Sequence, residues 1–250
     1  MTRGTGVLVV TGGSRGIGAH VAAQAAAAGW AVVLSYVEAE HRADAVVSAI
    51  RRDGGAAWAV RADIADEGDV LALFRAAGRV GTVRGVVANA GVVAPPLRLR
   101  DVTAERVRRV LDVNVLGTIL CCREAVRIMS TADGHGGGAL VLVSSAASRI
   151  GAAGEYVDYA ASKGAVDALG IGLAREVAAE GIRVNVVRPG TTRTEIHARN
   201  GQPTRVRERE SGIPIGRAAE PAEVAAAVVW LLSDAASYCV GSILDVSGGR

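Results

Sequence analysis

Lysine is almost absent from this chain of 250 residues. Its 28 basic side chains comprise 27 arginines and a single lysine, Lys163. The P-loop nucleotide hydrolases need a lysine inside their glycine-rich loop, so that class is excluded. Arginine and lysine replace one another on a solvated surface but not at a proton-transfer site, because the lysine proton can be moved. The one lysine is therefore a candidate for chemistry.

Aromatic residues are also scarce, with one phenylalanine, three tryptophans and four tyrosines. The formal net charge of +3 arises from arginines scattered among 25 acidic residues, without interleaved aromatic side chains. This composition does not indicate nucleic-acid binding. We expect no nucleic-acid partner.

Cysteine and histidine are few and do not cluster. They offer neither a disulfide framework nor the spacing of metal ligands, so we predict no metal site and a reducing compartment. These residues are Cys121, Cys122, Cys239, His20, His41, His135 and His197. No apolar run resembles a secretion signal or approaches the length of a membrane span. We therefore expect a cytoplasmic protein without a membrane partner.

Tyr159 precedes the lone lysine by four residues at the start of a helical pattern, which places the two side chains on one helix face. Lowering the pKa of a phenol from about 10 to about 7 requires roughly 4 kcal/mol. An ammonium about 4 Å away supplies an interaction of about that size. We predict that Tyr159 is a general acid and base near neutral pH. The alternative is an exposed tyrosine and lysine on a helix surface.

A glycine loop follows the first apolar run, Val7–Val10, and precedes an alanine-rich helical pattern. Gly12, Gly16 and Gly18 within TGGSRGIG place this loop between a strand and a helix N-terminus. Such a loop lets the backbone approach a pyrophosphate and directs free N–H groups toward it. We predict a dinucleotide site here, with a plain tight turn as the alternative.

The remaining chain alternates between strands and helices, which predicts an α/β fold with a parallel sheet. Unalternated apolar strands indicate that helices cover both faces of the sheet. The predicted strands are Val7–Val10, Ala31–Ser35, Ala56–Val60, Val83–Ala88, Ala139–Val143, Arg183–Val187 and Ser242–Val246. The predicted helices run to Ala28, over Ala39–Asp53 and Glu67–Ala77, from about Thr103 to Met129, from the Tyr159 region to about Glu180, and over Pro221–Leu232.

No linker, repeat or low-complexity tract divides the chain, and 250 residues at 50% hydrophobic composition suffice for one large core. We predict one domain over residues 1–250. Thr131–Gly138 is expected to be an exposed connector. The irregular segment 191–216 is predicted to be a mobile lid, although a solvated basic loop is nearly as consistent with it. With loop 92–100, this segment should build the substrate pocket.

Six motifs in this order resemble those of the classical short-chain dehydrogenases/reductases. They are Thr11-Gly12-x-x-x-Gly16-Ile17-Gly18, Asn89-Ala90-Gly91, Asn114, the serine pair after the fifth strand, Tyr159-x-x-x-Lys163 and Pro189-Gly190. The resemblance covers essentially the whole chain. It implies a single-domain Rossmann fold with seven parallel strands in the order 3-2-1-4-5-6-7 and helices on both faces. It also implies an NAD(P) cofactor and hydride transfer between the nicotinamide and a carbonyl or alcohol carbon.

The resemblance implies a role for each candidate catalytic residue. Tyr159 exchanges a proton with the substrate oxygen, Lys163 lowers the tyrosine pKa and binds the nicotinamide ribose, and Asn114 holds a water that links Lys163 to solvent. A serine polarises the substrate oxygen, and we assign this role to Ser145, fourteen residues before Tyr159. The alternatives are Ser144 and Ser148.

The same resemblance implies the cofactor contacts. Asp63, which closes the third strand, is similar to the family's adenine contact, although an exposed aspartate is ordinary there. Ala88 departs from the family, since many relatives carry an asparagine at this position. The expected cofactor-binding residues are Gly12, Ser14, Arg15, Gly16, Ile17, Gly18, Tyr36, Asp63, Ile64, Asn89, Ala90, Gly91, Tyr159, Lys163, Pro189, Gly190, Thr191 and Thr194.

The end of the second strand bears on the choice between NAD and NADP. In this fold an acidic residue there binds the ribose 2′-hydroxyl of NAD and repels a 2′-phosphate. Tyr36 occupies the aligned position, and Arg15, joined by Arg42, offers cationic donors to a phosphate. Glu38 and Glu40 follow within a few residues and leave NAD(H) as the alternative. We predict a preference for NADP(H).

We also predict a homotetramer. The helix Pro221–Leu232 is apolar nearly all round and needs a second covering surface. Gly164, Gly170 and Gly172 each cost about 0.5–1 kcal/mol relative to alanine, and close approach of helices would compensate. Relatives in the family pair through the corresponding helices.

The expected substrate is a small carbonyl compound or alcohol, and the sequence leaves open sugars and polyols, ketones, steroids and 3-oxoacyl thioesters. Docking of an acidic acyl carrier protein is unsupported, because a solvated helix face explains the candidate arginines better. Those arginines are Arg98, Arg100, Arg106, Arg108 and Arg109. A cofactor-binding regulator without turnover is the alternative function, but it would not need to retain Ser145, Tyr159 and Lys163.

Overall fold

Seven strands form one parallel sheet in the computed structural model, which describes residues 6–196 and 198–250. Their order is β3-β2-β1-β4-β5-β6-β7, which confirms the predicted fold. The strands are β1 (Val7–Val10), β2 (Ala31–Tyr36), β3 (Ala56–Arg61), β4 (Val83–Ala88), β5 (Gly138–Val143), β6 (Ile182–Pro189) and β7 (Ile243–Val246). The order reverses direction between β1 and β4, so a crevice opens at the carboxyl ends of these two strands.

Helices cover both faces of this sheet. One face carries α1 (Gly16–Ala27), α2 (Glu40–Arg52) and α9 (Pro221–Leu232). The other carries α3 (Glu67–Val80), α5 (Thr118–Met129) and α7 (Val157–Val177). Shorter helices are α4 (Ala104–Leu111), α6 (Ala147–Ile150) and α8 (Arg205–Arg209). Each face thus has its own hydrophobic core, and the sheet separates the two.

Burial of the strands follows their position in the sheet. Every residue of β1 is buried, and in β5 all residues except Gly138 are buried. At the edge, only Ala57 of β3 is buried, and Trp58 is 37% exposed. The greater exposure of β3 follows from its place at the edge, because an edge strand has a single neighbouring strand and fewer elements packed on it.

The helix predicted from about Thr103 to Met129 is interrupted. It consists of α4 and α5 joined by a π-helical turn over Asp112–Gly117. A Cβ on Gly117 would lie 2.7 Å from the Ile64 carbonyl oxygen, so the chain passes very close to the loop after β3 at this point. The wider turn matters for the site because it carries Asn114.

Two segments predicted without regular structure contain short helices. Residues 191–216 include α8 and two 3₁₀ turns, Ala198–Asn200 and Glu210–Gly212. A third 3₁₀ turn, Thr131–Asp133, begins the predicted connector, whose last residue, Gly138, already belongs to β5. His197 lies outside the described residues. In the part of the chain that is described, no helix combines the length and apolar character required to cross a membrane.

Candidate active site

The loops after β1 and β4 are tied together at the carboxyl edge of the sheet. The Thr11 hydroxyl oxygen accepts hydrogen bonds from the backbone N–H groups of Asn89 and Ala90, both at 3.0 Å. The Asn89 side-chain amide donates to the carbonyls of Thr11 (2.9 Å) and Gly12 (3.1 Å). These bonds fix the glycine loop against the Asn89-Ala90-Gly91 motif, so two of the predicted motifs form one structure.

Close packing and backbone conformation explain the glycines of this loop. Gly12 and Gly16 have φ values of +64° and +53°, which side chains other than hydrogen disfavour. A Cβ on Gly18 would lie 2.4 Å from the Gly12 carbonyl oxygen. Helix α1 begins at Gly16, and its N-cap residue Arg15 makes no side-chain capping bond. The backbone N–H groups of this first turn therefore suit an anion such as a pyrophosphate.

A cavity of about 650 Å³ extends along this edge of the sheet. Nearly all predicted cofactor residues line it, namely Gly12, Ser14, Arg15, Gly16, Ile17, Tyr36, Asp63, Ile64, Asn89, Ala90, Gly91, Tyr159, Lys163, Pro189, Gly190, Thr191 and Thr194. Ser145 lines it as well. Gly18 does not line the cavity, because its role is to let α1 pack against the Gly12 carbonyl. The cavity runs from the glycine loop to Tyr159 and Lys163, and its wall contains the glycines that a dinucleotide site requires.

Asn114 is fully buried behind the cavity wall. Its Oδ1 accepts a hydrogen bond from the Val92 N–H at 2.8 Å, while its Nδ2 donates to the Val92 carbonyl at 2.9 Å and to the Ser162 hydroxyl at 3.0 Å. A Cβ on Gly91 would lie 3.3 Å from both Asn114 Oδ1 and Lys163 Nζ. Asn114 thus holds the chain after β4 beside the lysine.

Ser145 and Tyr159 both line the cavity, and the Ser145 hydroxyl acts to lower the pKa of the Tyr159 phenol. All three candidate serines contact backbone groups, and Ser145 Oγ accepts a hydrogen bond from the Ala147 N–H at 3.1 Å. Ser144 Oγ is buried and donates to the Lys163 carbonyl at 3.0 Å, and Ser148 Oγ donates to the Ser145 carbonyl at 2.8 Å. Among the three serines, Ser145 is the one whose hydroxyl influences the tyrosine.

Burial raises the pKa of the Tyr159 phenol, and the Ser145 hydroxyl partly offsets this rise. Lys163 Nζ donates to the Val143 carbonyl at 2.9 Å and lies 5.9 Å from the centroid of the Tyr159 ring. The predicted lowering of the Tyr159 pKa by Lys163 is therefore not found in this arrangement. The reason is that the backbone at the end of β5 holds the ammonium.

The charge of Lys163 is itself influenced by a buried carboxylate. Burial lowers the pKa of Lys163 to about 8, and Asp167, one turn further along α7, opposes this shift. Asp167 Oδ2 accepts hydrogen bonds from Arg188 Nε (3.0 Å) and Nη2 (2.9 Å). The other oxygen, Oδ1, is buried and has no hydrogen-bond partner among the described residues. Asp167 is thus the carboxylate that favours the ammonium form of the lone lysine.

Tyr36 ends β2 at the position predicted for the adenosine ribose. Its hydroxyl donates to Glu40 Oε1 at 3.0 Å. Arg15 and Glu38 line the cavity together with Tyr36, whereas Glu40 does not. A cation and a carboxylate therefore both face this part of the cavity.

Arg42 does not join these residues. It forms an exposed ion pair with Glu195, which follows β6 and lines the cavity, and its part in holding a phosphate stays a prediction. Asp63 lies at the cavity wall as predicted, with Oδ1 accepting from the Ala65 N–H at 3.0 Å and Oδ2 3.7 Å from Arg109 Nη1. One carboxylate oxygen of Asp63 thus supports the loop after β3, while the other meets a cation.

The cavity residues that the sequence interpretation did not name include a charged and aromatic group formed by Glu155, Tyr156, Arg205 and Arg209. Arg205 forms two hydrogen bonds with the Glu155 carboxylate, at 3.1 and 2.8 Å, and Arg209 also pairs with it. The Arg205 guanidinium lies 4.6 Å from the centroid of the Tyr156 ring. The available signal was the place of Glu155 and Tyr156 just before the Tyr159 helix, but no spacing connects them with residues 205 and 209.

The predicted pocket loop 92–100 contributes only Val92 and Val93 to this cavity. The loop is anchored by Arg106, which contacts the Pro95 carbonyl and donates to the Asp158 carboxylate at 2.8 and 3.1 Å. The side chains of this ion pair are only 9% and 3% exposed. The prediction that Arg106 lies on a solvated arginine face is therefore wrong, because its partner on α7 draws it into the interior.

Within residues 6–196 and 198–250, no three His, Cys, Asp or Glu side chains are grouped as metal ligands would be. Cys121 and Cys122 are buried in α5, and burial raises the pKa of the Cys121 thiol to about 12. Cys121 and Cys122 thus behave as small core side chains.

Comparisons with known proteins agree with this geometry. Residues 12–250 match a family model described as enoyl-(acyl carrier protein) reductase. The chain is 50% identical over 245 residues to the oxidoreductase YgfF of Escherichia coli K12, covering 98% of this chain and 99% of that protein. It is 44% identical to the cis-4-hydroxycyclohexanecarboxylate dehydrogenase of Sinomonas cyclohexanicum (97% and 95% covered). It is 41% identical to the 3beta-hydroxysteroid dehydrogenase 1 of Eggerthella lenta (97% and 92% covered).

Solved structures with the same architecture include a short-chain dehydrogenase from Burkholderia cenocepacia J2315 in complex with NADP. Its TM-score is 0.89 at 31% identity, with 98% of this chain and 97% of that chain covered. A 3-ketoacyl-(acyl-carrier-protein) reductase from Brucella melitensis complexed with NADH also has a TM-score of 0.89, at 32% identity with 98% of both chains covered. Structures of this architecture thus contain either nicotinamide dinucleotide.

Proposed function

Because this chain belongs to the short-chain dehydrogenase/reductase family, a family of NAD(P)-dependent oxidoreductases of CH–OH and C=O groups, we propose that it interconverts a small ketone and the corresponding secondary alcohol. The observation that carries the proposal is that Ser145, Tyr159 and Lys163 line one cavity together with the glycine loop. Lys163 lies one helical turn beyond the tyrosine. The glycine loop and the uncapped start of α1 fit the pyrophosphate of a dinucleotide.

The proposed mechanism assigns one task to each side chain. In reduction, the Tyr159 hydroxyl gives its proton to the carbonyl oxygen, and in oxidation the phenolate removes the proton from the alcohol. The Ser145 hydroxyl donates a hydrogen bond to the same oxygen and favours the negative charge that develops there. Lys163 binds the nicotinamide ribose, and Asn114 holds the neighbouring backbone. The nicotinamide, when bound, supplies or accepts the hydride at the carbonyl carbon.

Replacement of the tyrosine tests this mechanism. Tyr159→Phe removes the transferable proton and should lower kcat by about 100-fold or more, while cofactor affinity changes little. The measurements are steady-state turnover with a ketone panel and fluorescence titration of the reduced cofactor. Tyr238→Phe is the matched control, because Tyr238 is fully exposed and should leave both values unchanged. A Tyr159→Phe protein that keeps a tenth of the wild-type kcat would contradict the assignment.

We propose a secondary alcohol or ketone on a six-membered carbon ring as the substrate class. The support comes from two of the relatives above, whose names specify a hydroxycyclohexanecarboxylate and a hydroxysteroid. A further relative, 38% identical, is a 2,5-dichloro-2,5-cyclohexadiene-1,4-diol dehydrogenase of Sphingobium indicum. Cyclohexanone derivatives should be reduced with a higher kcat/KM than open-chain ketones, sugars or 3-oxoacyl thioesters. Equal or better turnover of the open-chain compounds would reject this class.

We propose that the enzyme prefers NADP(H) to NAD(H). The support is that Tyr36 replaces the ribose-binding acid at the end of β2 and that Arg15 lines the same part of the cavity. Arg15→Ala should weaken NADPH binding about tenfold and leave NADH binding nearly unchanged, because only the phosphate needs the cation. Arg52→Ala serves as control, since Arg52 is exposed at the end of α2. If Arg15→Ala leaves the ratio of the two affinities unchanged, Glu38 becomes the residue that decides the preference.

We propose that the chain works as a homotetramer in the cytoplasm. Exposed apolar side chains support a second covering surface, with Trp230 42%, Leu116 45% and Ile119 42% exposed. Gly170 does not support contact between chains. A Cβ at this position would lie 2.2 Å from Val186 Cγ2 of the same chain, so the glycine is explained by packing within the chain. Light scattering should give about four times 25.4 kDa, and a mass of one chain would refute the proposal.

We further propose that residues 1–250 act as one domain in which segment 191–216 is the substrate lid. Thr191, Thr194 and Arg205 of this segment line the cavity, which supports the proposal. Hydrogen exchange within the segment should slow when cofactor and substrate analogue are added together. Exchange that does not respond to either ligand would contradict a lid.

A further inference from the structure

The cavity that Ser145 and Tyr159 line also contains a pair of arginines that the proposed mechanism does not use. Arg205 and Arg209, hereafter the arginine pair, are one turn apart on α8, and both line the cavity. Both bind the carboxylate of Glu155, which precedes α7 and also lines the cavity. The two guanidinium groups and Glu155 thus form a small charged cluster in the same cavity as Ser145 and Tyr159.

This cluster is held in place by packing. The Arg205 side chain is 13% exposed, and its guanidinium lies over the Tyr156 ring at 4.6 Å from the centroid. Tyr156 is the N-cap residue of α7, and Tyr159 lies in the first turn of the same helix. The arginine pair and the proposed proton donor therefore border the same cavity, and the charged cluster adjoins the start of the helix that carries Tyr159.

The charges in the cluster do not balance. Two guanidinium groups face one carboxylate, and the hydrogen bond from Arg205 holds the pKa of Glu155 below its ordinary value, so Glu155 is ionised. One positive charge remains beside the cavity. Each guanidinium carries five N–H donors in a planar fork, and Arg205 uses two of its nitrogens on Glu155. Unused donors and an excess positive charge match a second carboxylate.

We propose that the substrate carries a carboxylate, which binds the arginine pair beside Glu155 and directs the carbonyl or carbinol carbon toward Tyr159. This inference rests on the proposed function, since it names the chemical class of the substrate for the same site. The arginine pair is a binding element: the negative charge of the substrate balances the excess positive charge of the cluster, and anchoring the carboxylate there orients the rest of the substrate within the cavity that Tyr159 also lines. A neutral substrate of the same shape lacks the charge-assisted hydrogen bonds.

The first test compares two ligands on the wild-type protein. The substrates 4-oxocyclohexanecarboxylate and 4-oxocyclohexanecarboxamide have nearly the same shape and differ in charge. The carboxylate should have a kcat/KM at least about tenfold higher, since a hydrogen bond to a charged group is stronger by this order. Equal values for the two compounds would overturn the inference while leaving the proposed function intact.

The second test compares variants. Arg209→Gln and Arg205→Gln should each reduce kcat/KM for the carboxylate about tenfold or more and change the value for the carboxamide much less. Arg207→Gln is the matched control, because Arg207 is on the same helix but is exposed and does not line the cavity. Arg209 is the safer variant, since it is 37% exposed and does not stack on Tyr156. A loss that is the same for both compounds, or the same in Arg207→Gln, would also overturn the inference.

A binding measurement separates this inference from the proposed function. Cyclohexanecarboxylate lacks a reacting carbonyl, and calorimetric titration of the cofactor complex reports its affinity without turnover. It should bind the wild type at least about tenfold more tightly than cyclohexanecarboxamide, and Arg209→Gln should abolish the difference. If no ketone is reduced but this difference is found, the proposed function fails and the anion site stands. If ketones are reduced but the two ligands bind equally, the anion site fails.

Discussion

The buried ion pair between Arg106 and Asp158 connects the loop after β4 with the helix of Tyr159, and its removal should strongly destabilise the fold. We consider Arg106→Met, which keeps the length of the side chain and removes its charge. The change leaves the Asp158 carboxylate, 3% exposed, without the guanidinium that donates to both of its oxygens. It also removes the contact of Arg106 with the Pro95 carbonyl.

The expected loss is about 3 kcal/mol of unfolding free energy. Breaking a buried ion pair by removing one partner costs about 3–5 kcal/mol, because it leaves an uncompensated charge. Backbone N–H groups of Asp158 and Tyr159 also bind the carboxylate, so the lower end of this range applies. The measurement is urea unfolding at one fixed protein concentration, since assembly contributes to apparent stability. Arg108→Met is the control: Arg108 is exposed on the same helix, and its loss should stay within about 0.5 kcal/mol.

The pH dependence gives an independent check. Burial alone would raise the pKa of Asp158, but the hydrogen bond from Arg106 and the backbone N–H groups outweigh it and bring the pKa below its ordinary value of 3.8. A carboxyl with a depressed folded-state pKa stabilises the protein above its unfolded pKa and loses this contribution as the pH falls. In Arg106→Met the uncompensated carboxyl prefers to be protonated, so the difference from wild type should shrink below about pH 4.

The double variant Arg106→Met with Asp158→Asn decides the cause. Removing the orphaned charge should restore stability relative to Arg106→Met alone, because a neutral amide costs less to bury. The reasoning would be refuted if Arg106→Met lost less than about 1 kcal/mol. A double variant that is less stable than Arg106→Met, or a stability difference that is constant with pH, would refute it as well.

Three further predictions concern residues of α7. Lys163→Arg should lose nearly all turnover although the positive charge is kept, because the planar guanidinium cannot replace the ammonium that binds the Val143 carbonyl. Full activity of this variant would show that a lysine is not required at this position. Asp167→Asn should lower the pKa of Lys163 further below about 8, so that the loss of ketone reduction with rising pH begins at lower pH; an unchanged pH profile would contradict this effect. Gly170→Ala should destabilise the chain, because its Cβ would lie 2.2 Å from a side-chain carbon of β6; chemical unfolding that shows no change would indicate that the strand moves freely.

The amino-acid pattern by itself determined the succession of strands and helices, whereas the strand order was implied by the family resemblance and is confirmed by the sheet. Continuous apolar runs such as Val7–Val10 and Val83–Ala88 specify buried parallel strands, and their bounds are predicted to the residue. Pro221–Leu232 is likewise predicted to the residue, because proline begins the helix and the apolar run defines its length. Local periodicity was less informative where tertiary contacts change the helix, as in the π-helical turn that carries Asn114.

The site divides in the same way. The four-residue spacing of Tyr159 and Lys163 predicts from the sequence alone that both side chains lie on one helix face. The glycine loop between a strand and a helix likewise predicts an anion site from the sequence alone. Contacts between distant segments could not be predicted, because local sequence carries no information on which partners meet. The Glu155 carboxylate binds Arg205 and Arg209 across about fifty residues of chain. The same physical reason applies to Lys163. Its place in a helix could be predicted from local sequence, but its hydrogen bond to the Val143 carbonyl depends on where β5 ends in the fold.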